Sequence, residues 1–329
     1  MEHIHAVIED YSVLAWGYVF RDGYCFTAGS QSNVYDAIVV KNPDQCQVWS
    51  PKLGSSERSL DEHIQLINDH QLERAVIVAE DIGFLRDCPS LKHIVLHLGD
   101  DAQDKMDLSA LYELPNLESI ICRLQYGGPW EPKSTALDYS RMPKLREVAL
   151  SGKGHRGYTS LKHMEKLSLS ENKEHRDFTD FAECAQLKRI DLLQCGFRSL
   201  KGIKRFQKLQ WLSLTYLRSL EDISELVCVK DSLRALALEG CPKIKDFSCL
   251  KELHKLEHLQ LMGSNEIPDL EFLKAMPNLK TFSFSVTVKS NDITPCLALP
   301  YVWMKKGRKS YNLRPKDMPQ GKTSGFELK

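Results

Sequence analysis

The feature that most restricts this chain is a six-residue pattern, L-x-x-L-x-L, that returns at nearly constant spacing. Clear copies begin at Leu187 (with Ile190 and Leu192), Leu209 (Leu212, Leu214), Leu233 (Leu236, Leu238), Leu256 (Leu259, Leu261) and Leu279 (Phe282, Phe284). The steps between them are 22, 24, 23 and 23 residues. Earlier copies begin at Leu91, Leu117, Leu145 and Met164, and a degenerate first copy at Leu72 carries Ala75 and Ile77. Alternation in the L-x-L part is the period-2 signature of a short strand with one buried face. A unit this short cannot bury that face alone, so successive copies must stack, each strand parallel to the last, over a shared core.

The stretches between copies agree with that reading. Cys88-Pro89-Ser90-Leu91, Leu114-Pro115-Asn116-Leu117, Met142-Pro143-Lys144-Leu145 and Met276-Pro277-Asn278-Leu279 place a proline just before a strand. Proline has no amide donor and restricts its predecessor, so it ends the preceding segment where the strand must begin. Ile244, Phe247, Leu250, Leu253 and Leu256 recur every three residues, as do Ile267, Leu270, Leu273, Met276 and Leu279. That spacing predicts short 3₁₀ or helical turns behind the sheet, with these residues in the core. Two steps break the period. Leu117 to Leu145 takes 28 residues, with Tyr126-Gly-Gly-Pro-Trp130-Glu-Pro132 in the excess, and Leu145 to Met164 takes only 19. Two readings stand: a projecting loop that carries Trp130, or one misregistered copy.

On these residues the stretch 72–290 resembles the leucine-rich repeat proteins of the short, internalin-like bacterial class. The resemblance implies an α/β solenoid: a horseshoe of about ten strands, with a parallel concave sheet and a convex side of 3₁₀ turns or short helices. It also implies Asn or Cys eight residues after each start, where the side chain satisfies backbone groups in the bend. Asn172, Cys195 and Cys241 fit, whereas Gly99, Gln125, Lys153, Leu217 and Ser264 depart.

A solenoid needs caps at its ends. Residues 1–71 are expected to form a small β-rich domain, with strands at Val13–Phe20, Tyr24–Thr27, Val34–Val40 and Gln45–Trp49. Turns are expected at Asp22-Gly23 and Asn42-Pro43-Asp44. Ser59-x-x-Glu62 resembles a capping box that opens a short helix through Asn68. Residues 291–329 form the C-terminal cap and basic tail. Tyr301-Val-Trp303 and Ser310-Tyr-Asn-Leu313 flank Lys306-Gly307 as a hairpin would, and the composition beyond Pro315 suits a loose, solvated tail. Lys305, Lys306, Arg308, Lys309, Arg314, Lys316, Lys322 and Lys329 make this end strongly basic.

Composition excludes several functions. Forty-four basic and 44 acidic residues cancel, which argues against non-specific grip on nucleic acid or an acidic membrane. Apolar runs are too short to span a bilayer, and the opening Met1-Glu2-His3-Ile4-His5 is no secretory signal. The ten cysteines form no Cys-x-x-Cys and are expected to be reduced, buried residues of a cytoplasmic protein. No P-loop, nucleophile elbow or metal-ligand spacing is present in the sequence. His93 and His97 lie about 13 Å apart along one strand face, too far to share an ion. No cofactor and no metal are expected.

The residues between the leucines should point onto the concave face. Parallel strands set about 4.8 Å apart place Arg189 beside Trp211, a cation–π pair. Asp191, Tyr216, Glu239, His258, Gln260 and Met262 surround the pair, and Ala235 and Ala237 leave a shallow depression next to it. We therefore expect a non-catalytic protein-binding scaffold, an immunity or adaptor protein, whose partner is another protein rather than a membrane or nucleic acid. Its contact residues are those eight together with Trp130. The alternative is binding of nucleic acid or an anionic surface through the basic C-terminal tail. A third reading, an enzyme, would need its site within residues 1–71, at Asp22 or Asp36.

Overall fold

The computed structural model describes residues 38–42, 45–50, 54–58, 60–69, 71, 73–79, 81–98, 107–124, 137–305 and 307–321. The strands expected at Val13–Phe20 and Tyr24–Thr27, the Asp22-Gly23 turn and the Trp130 loop lie outside the described residues. The chain divides into two compact units, with the boundary after Met164.

In the unit that ends at Met164, β1 (Ile38–Asn42), β2 (Gln45–Ser50) and β3 (Gly54–Arg58) form an antiparallel meander. Asn42 pairs with Gln45 across the expected turn. β3 has no counterpart in the expected pattern. Helix α1 (Leu60–Asp69) follows, with Ile67 buried. β4 (Arg74–Ala79) then runs parallel to β1, so the meander extends the repeat sheet by its edge. β5 (His93–Leu98), β6 (Ser119–Leu124) and β7 (Glu147–Ser151) continue in parallel.

The second unit holds β8 (Lys166–Ser170), β9 (Arg189–Leu193), β10 (Trp211–Thr215), β11 (Ala235–Glu239), β12 (His258–Met262) and β14 (Thr281–Phe284), all parallel. A small accessory pair, β13 (Glu266–Ile267) with β15 (Thr287–Val288), sits after β12 and β14. Each of the ten expected copies supplies a strand, and the register is that of the motif: Arg189, Trp211, Ala235, His258 and Thr281 align in one row. The leucines of β8 to β12 and the phenylalanines of β14 are at most 4% exposed. Burying one such side chain contributes about 1.5–3 kcal/mol.

Behind the sheet lie 3₁₀ turns, among them Ser224–Val229, Ser248–Glu252 and Glu271–Ala275. An aspartate opens many of them. Oδ1 of Asp107, Asp138, Asp177, Asp222, Asp246, Asp269 and Asp292 accepts the backbone N–H two residues on, at 2.8–3.1 Å. The carboxylate replaces a missing backbone acceptor and so sets where the chain bends. Charge also follows the repeat. The residue after the first leucine tends to alternate in sign, giving ion pairs Glu73–Lys92, Glu118–Arg146, Glu165–Lys188 and Arg234–Glu257–Lys280. Each such surface pair is weak, and together they follow the strand register.

The bends after β8, β9, β10 and β11 are more regular than the eighth-residue pattern suggested. Glu171, Gln194, Tyr216 and Gly240, each seven residues after a start, have φ of 56°, 52°, 53° and 64°. Non-glycine residues seldom enter this left-handed region. Here each backbone N–H is taken by the next strand's terminal carbonyl, Leu193, Thr215, Glu239 and Met262 respectively, at 2.7–2.9 Å. One residue further on, Cys195 Sγ lies 3.3 Å from the carbonyls of Leu169 and Leu193, and Cys241 Sγ 3.5 Å from those of Leu214 and Glu239. Ser264 does not continue this row. Gly263 (φ 139°) shifts the bend by one residue, and buried Asn265 donates Nδ2 to the carbonyls of Cys241 (2.9 Å) and Ile244 (3.0 Å).

The C-terminal hairpin is not formed. β16 (Tyr301–Met304) instead pairs in parallel with β14, because Leu299-x-x-Val302-x-Met304 is a further copy of the motif. Nor is the chain loose just beyond Pro315. Pro315–Asp317 forms a 3₁₀ turn and Met318 is buried. Val302 N–H donates to Pro319 O and Gly321 N–H to Pro300 O, both at 2.9 Å, which covers the outer edge of β16.

Cys88, Cys184, Cys195, Cys241, Cys249 and Cys296 are buried and Cys228 is exposed. Burial pushes the thiols of Cys88, Cys195, Cys249 and Cys296 up to about 12, so they stay protonated and inert.

Asn265→Ala strips two buried carbonyls of their donor, an expected loss of about 1–3 kcal/mol in urea unfolding. Ser264→Ala, at an exposed neighbouring position, should leave the midpoint unchanged.

Candidate protein-interaction surface

The strand residues that alternate with the core leucines point to the opposite side of the sheet, and β9 to β12 there assemble two polar clusters. The first is built on Asp191. Its Oδ2 accepts from Arg189 Nε at 2.5 Å and its Oδ1 from Trp211 Nε1 at 2.9 Å. The Arg189 guanidinium carbon lies 5.2 Å from the Trp211 ring centroid, so the expected cation–π neighbours do meet. One carboxylate thereby fixes both a cation and an indole in place.

The second cluster is built on Glu239. Tyr216 Oη donates to Glu239 Oε1 (3.3 Å), and Gln260 Nε2 to Oε2 (3.4 Å). The negative charge of Glu239 pushes the Tyr216 phenol above its ordinary pKa. Tyr216 also packs over Gly240, where a Cβ would lie 2.3 Å from the ring. The glycine therefore serves two ends: it enters the left-handed bend and makes room for the tyrosine.

The face is less open than the sequence pattern implied. Trp211 is 1% exposed, His258 and Gln260 are each 4%, and Met262 is 7%. Ala235 and Ala237 are buried too, so no open depression lies beside Trp211. Alternation gives a side chain's direction, not its accessibility, and here the indole is held against its neighbours rather than displayed. Arg189, Asp191 and Glu239 are half-buried, and among the described contact residues Tyr216, 41% exposed, is the one that stands clearly into solvent. Trp130 lies outside the described residues. Among the described residues, no group of three or more His, Cys, Asp or Glu side chains converges as a metal site. No helix there is long and apolar enough to cross a membrane.

Parallel L-x-x-L-x-L strands in motif register, backed by 3₁₀ turns, make this a leucine-rich repeat solenoid. No protein-family model matches the chain. A probable disease resistance protein of Arabidopsis thaliana is 28% identical over 228 residues, which is 66% of this chain but only 27% of that protein's length. Among solved structures, an internalin of Listeria monocytogenes aligns with 70% of this chain and 72% of its own, at 17% identity and a TM-score of 0.48. Internalin C2 of the same bacterium aligns with 51% of this chain and 73% of its own, at 21% identity and a TM-score of 0.43. An LRR protein of Leptospira interrogans aligns with 75% of this chain and 81% of its own, at 15% identity and a TM-score of 0.32.

Two outcomes follow from this burial. Trp211→Ala should cost about 3–5 kcal/mol of folding stability, as expected for a core aromatic. His258, whose Nδ1 lies 2.8 Å from Thr281 Oγ1, is pushed by burial from its ordinary 6.5 down to about 4. Between those values the unfolded chain binds a proton that the folded chain refuses, so stability rises with pH across that window. It is complete above about 6.5 and drops as pH falls toward 4, by about 3 kcal/mol in all. Thermal midpoints measured from neutral to acid pH should fall in wild type and flatten in His258→Gln.

Proposed function

We propose that this protein is a non-catalytic scaffold that binds another protein through the sheet face of its second unit, with Tyr216 and Glu239 as the contact centre. The observation that carries the reading is the Glu239 cluster. An exposed tyrosine is held by a carboxylate on a bend whose backbone is locked to the next repeat. Tyrosine presents a large contact area with few rotatable bonds, and prior fixing lowers the entropy lost on binding. Arg189, Asp191 and Trp211 form the supporting ground beside it. His258, Gln260 and Met262 complete the surface only at its margin, since they are covered. An adaptor or immunity role in the cytoplasm is the form of scaffold we favour, by fold-level analogy.

The test is capture from native extract by the wild-type chain, compared with a Tyr216→Ala, Glu239→Ala variant whose fold is verified by circular dichroism. A partner held by wild type should be lost, or weakened about tenfold or more, in the variant. Equal capture by both would move the contact away from this cluster. The Trp211→Ala change is unsuited to the purpose, because it removes a buried ring.

A further inference from the structure

The basic C-terminal segment offers a second surface, independent of the sheet face. Tyr311 is buried; its Oη accepts from Val288 N–H (3.0 Å) and lies 3.4 Å from the Val286 carbonyl. Asn312 Oδ1 accepts from Ile293 N–H (3.0 Å), and its Nδ2 donates to Asp292 Oδ1 (2.7 Å) and Thr294 Oγ1 (2.9 Å). The loop between β16 and the Pro315–Asp317 turn is therefore fastened to the last repeats. The loop and that turn together display Lys305, Arg308, Lys309, Arg314 and Lys316, all exposed. Two of these cations are positioned by neutral acceptors: Arg308 Nη2 on Thr287 Oγ1 (2.5 Å) and Arg314 Nη1 on Arg308 O (3.0 Å). None of the five makes an ion pair with a carboxylate among the described residues. The carboxylate within the segment, Asp317, accepts from Arg314 N–H at 2.7 Å.

An exposed apolar side chain lies on the turn that this loop grips through Thr294. Leu297 is 48% exposed and lies on the 3₁₀ turn Thr294–Ala298. In a 3₁₀ turn residues three apart eclipse, so Leu297 stands about 6 Å along the axis from Thr294, which Asn312 grips.

We propose that this cap is a docking surface for an acidic protein segment carrying an apolar anchor, with the five cations meeting its carboxylates and Leu297 its anchor. Free guanidinium N–H groups suit carboxylates. Single-stranded nucleic acid calls for aromatic stacking platforms, and the loop's tyrosine is buried as an anchor.

The test is fluorescence anisotropy on the full chain with two probes: a short labelled peptide of glutamates around a central leucine, and a labelled single-stranded DNA of equal length. Wild type should bind the peptide in preference to the DNA, more weakly as salt rises. Lys309→Glu with Lys316→Glu should reduce peptide affinity about tenfold or more. Among the described residues neither side chain makes a hydrogen bond or ion pair, and the matching glutamine pair, with an intermediate loss, separates charge from fold. Leu297→Ala should weaken binding while the salt dependence persists. Preference for the DNA, absence of peptide binding, or indifference to charge reversal would each overturn the proposal.

Discussion

Everything in this fold depends on the side-by-side joining of strands that are individually too short to persist. A five-residue strand with two or three buried leucines gains little alone, and its free edges would carry unpaired backbone groups. Stacked, the N–H and C=O groups of an interior strand find partners on both sides, and within each unit the leucine rows fuse into an apolar layer. The same lateral bond governs the bends. Glu171, Gln194 and Tyr216 hold a backbone conformation that costs free energy, and the next strand's terminal carbonyl compensates by accepting each N–H.

That dependence explains where exposed chemistry can sit. Within a strand, a side chain that points away from the core is still flanked by rows of neighbours, and Trp211 and His258 are covered although they face away from the leucines. At the bend the chain turns out of the sheet and the flanking rows end, so Tyr216 escapes into solvent. The exposed chemistry of this face is thus confined to a rim of left-handed bends beside a face of interlocked side chains, with the carboxylates of Asp191 and Glu239 as its fixed points. The C-terminal cap follows the same logic. Tyr311 and Asn312 bind the loop to the last repeats, and what remains outside is its basic fringe.

Several structural devices were present in the sequence as patterns of a second order. The aspartates two residues before Ser109, Thr179, Ser224, Ser248 and Thr294 mark where those 3₁₀ turns open, and the charges that alternate through most copies from Glu73 to Lys280 mark neighbouring strands. The copy Leu299-x-x-Val302-x-Met304 escapes notice because its step is short and Tyr301 and Trp303 suggest a hairpin. In the fold that segment meets an open parallel edge at β14, which takes it up as another strand. Asn265 could not be placed from spacing alone, since its position depends on how Gly263 bends the backbone.

The sequence by itself determined the class of fold, the number and register of the ten motif strands, the core residues and the direction of each alternating side chain. It could do so because a period of about 23 residues with a two-residue inner alternation leaves one way to bury the leucines. Only the tertiary structure decided which outward side chains are accessible, that Trp211 is held and Tyr216 displayed, and that the C-terminal segment through Gly321 closes a strand edge instead of hanging free. Those outcomes depend on contacts between residues about 20 positions apart, and a pattern of polar and apolar letters carries no record of what lies against them.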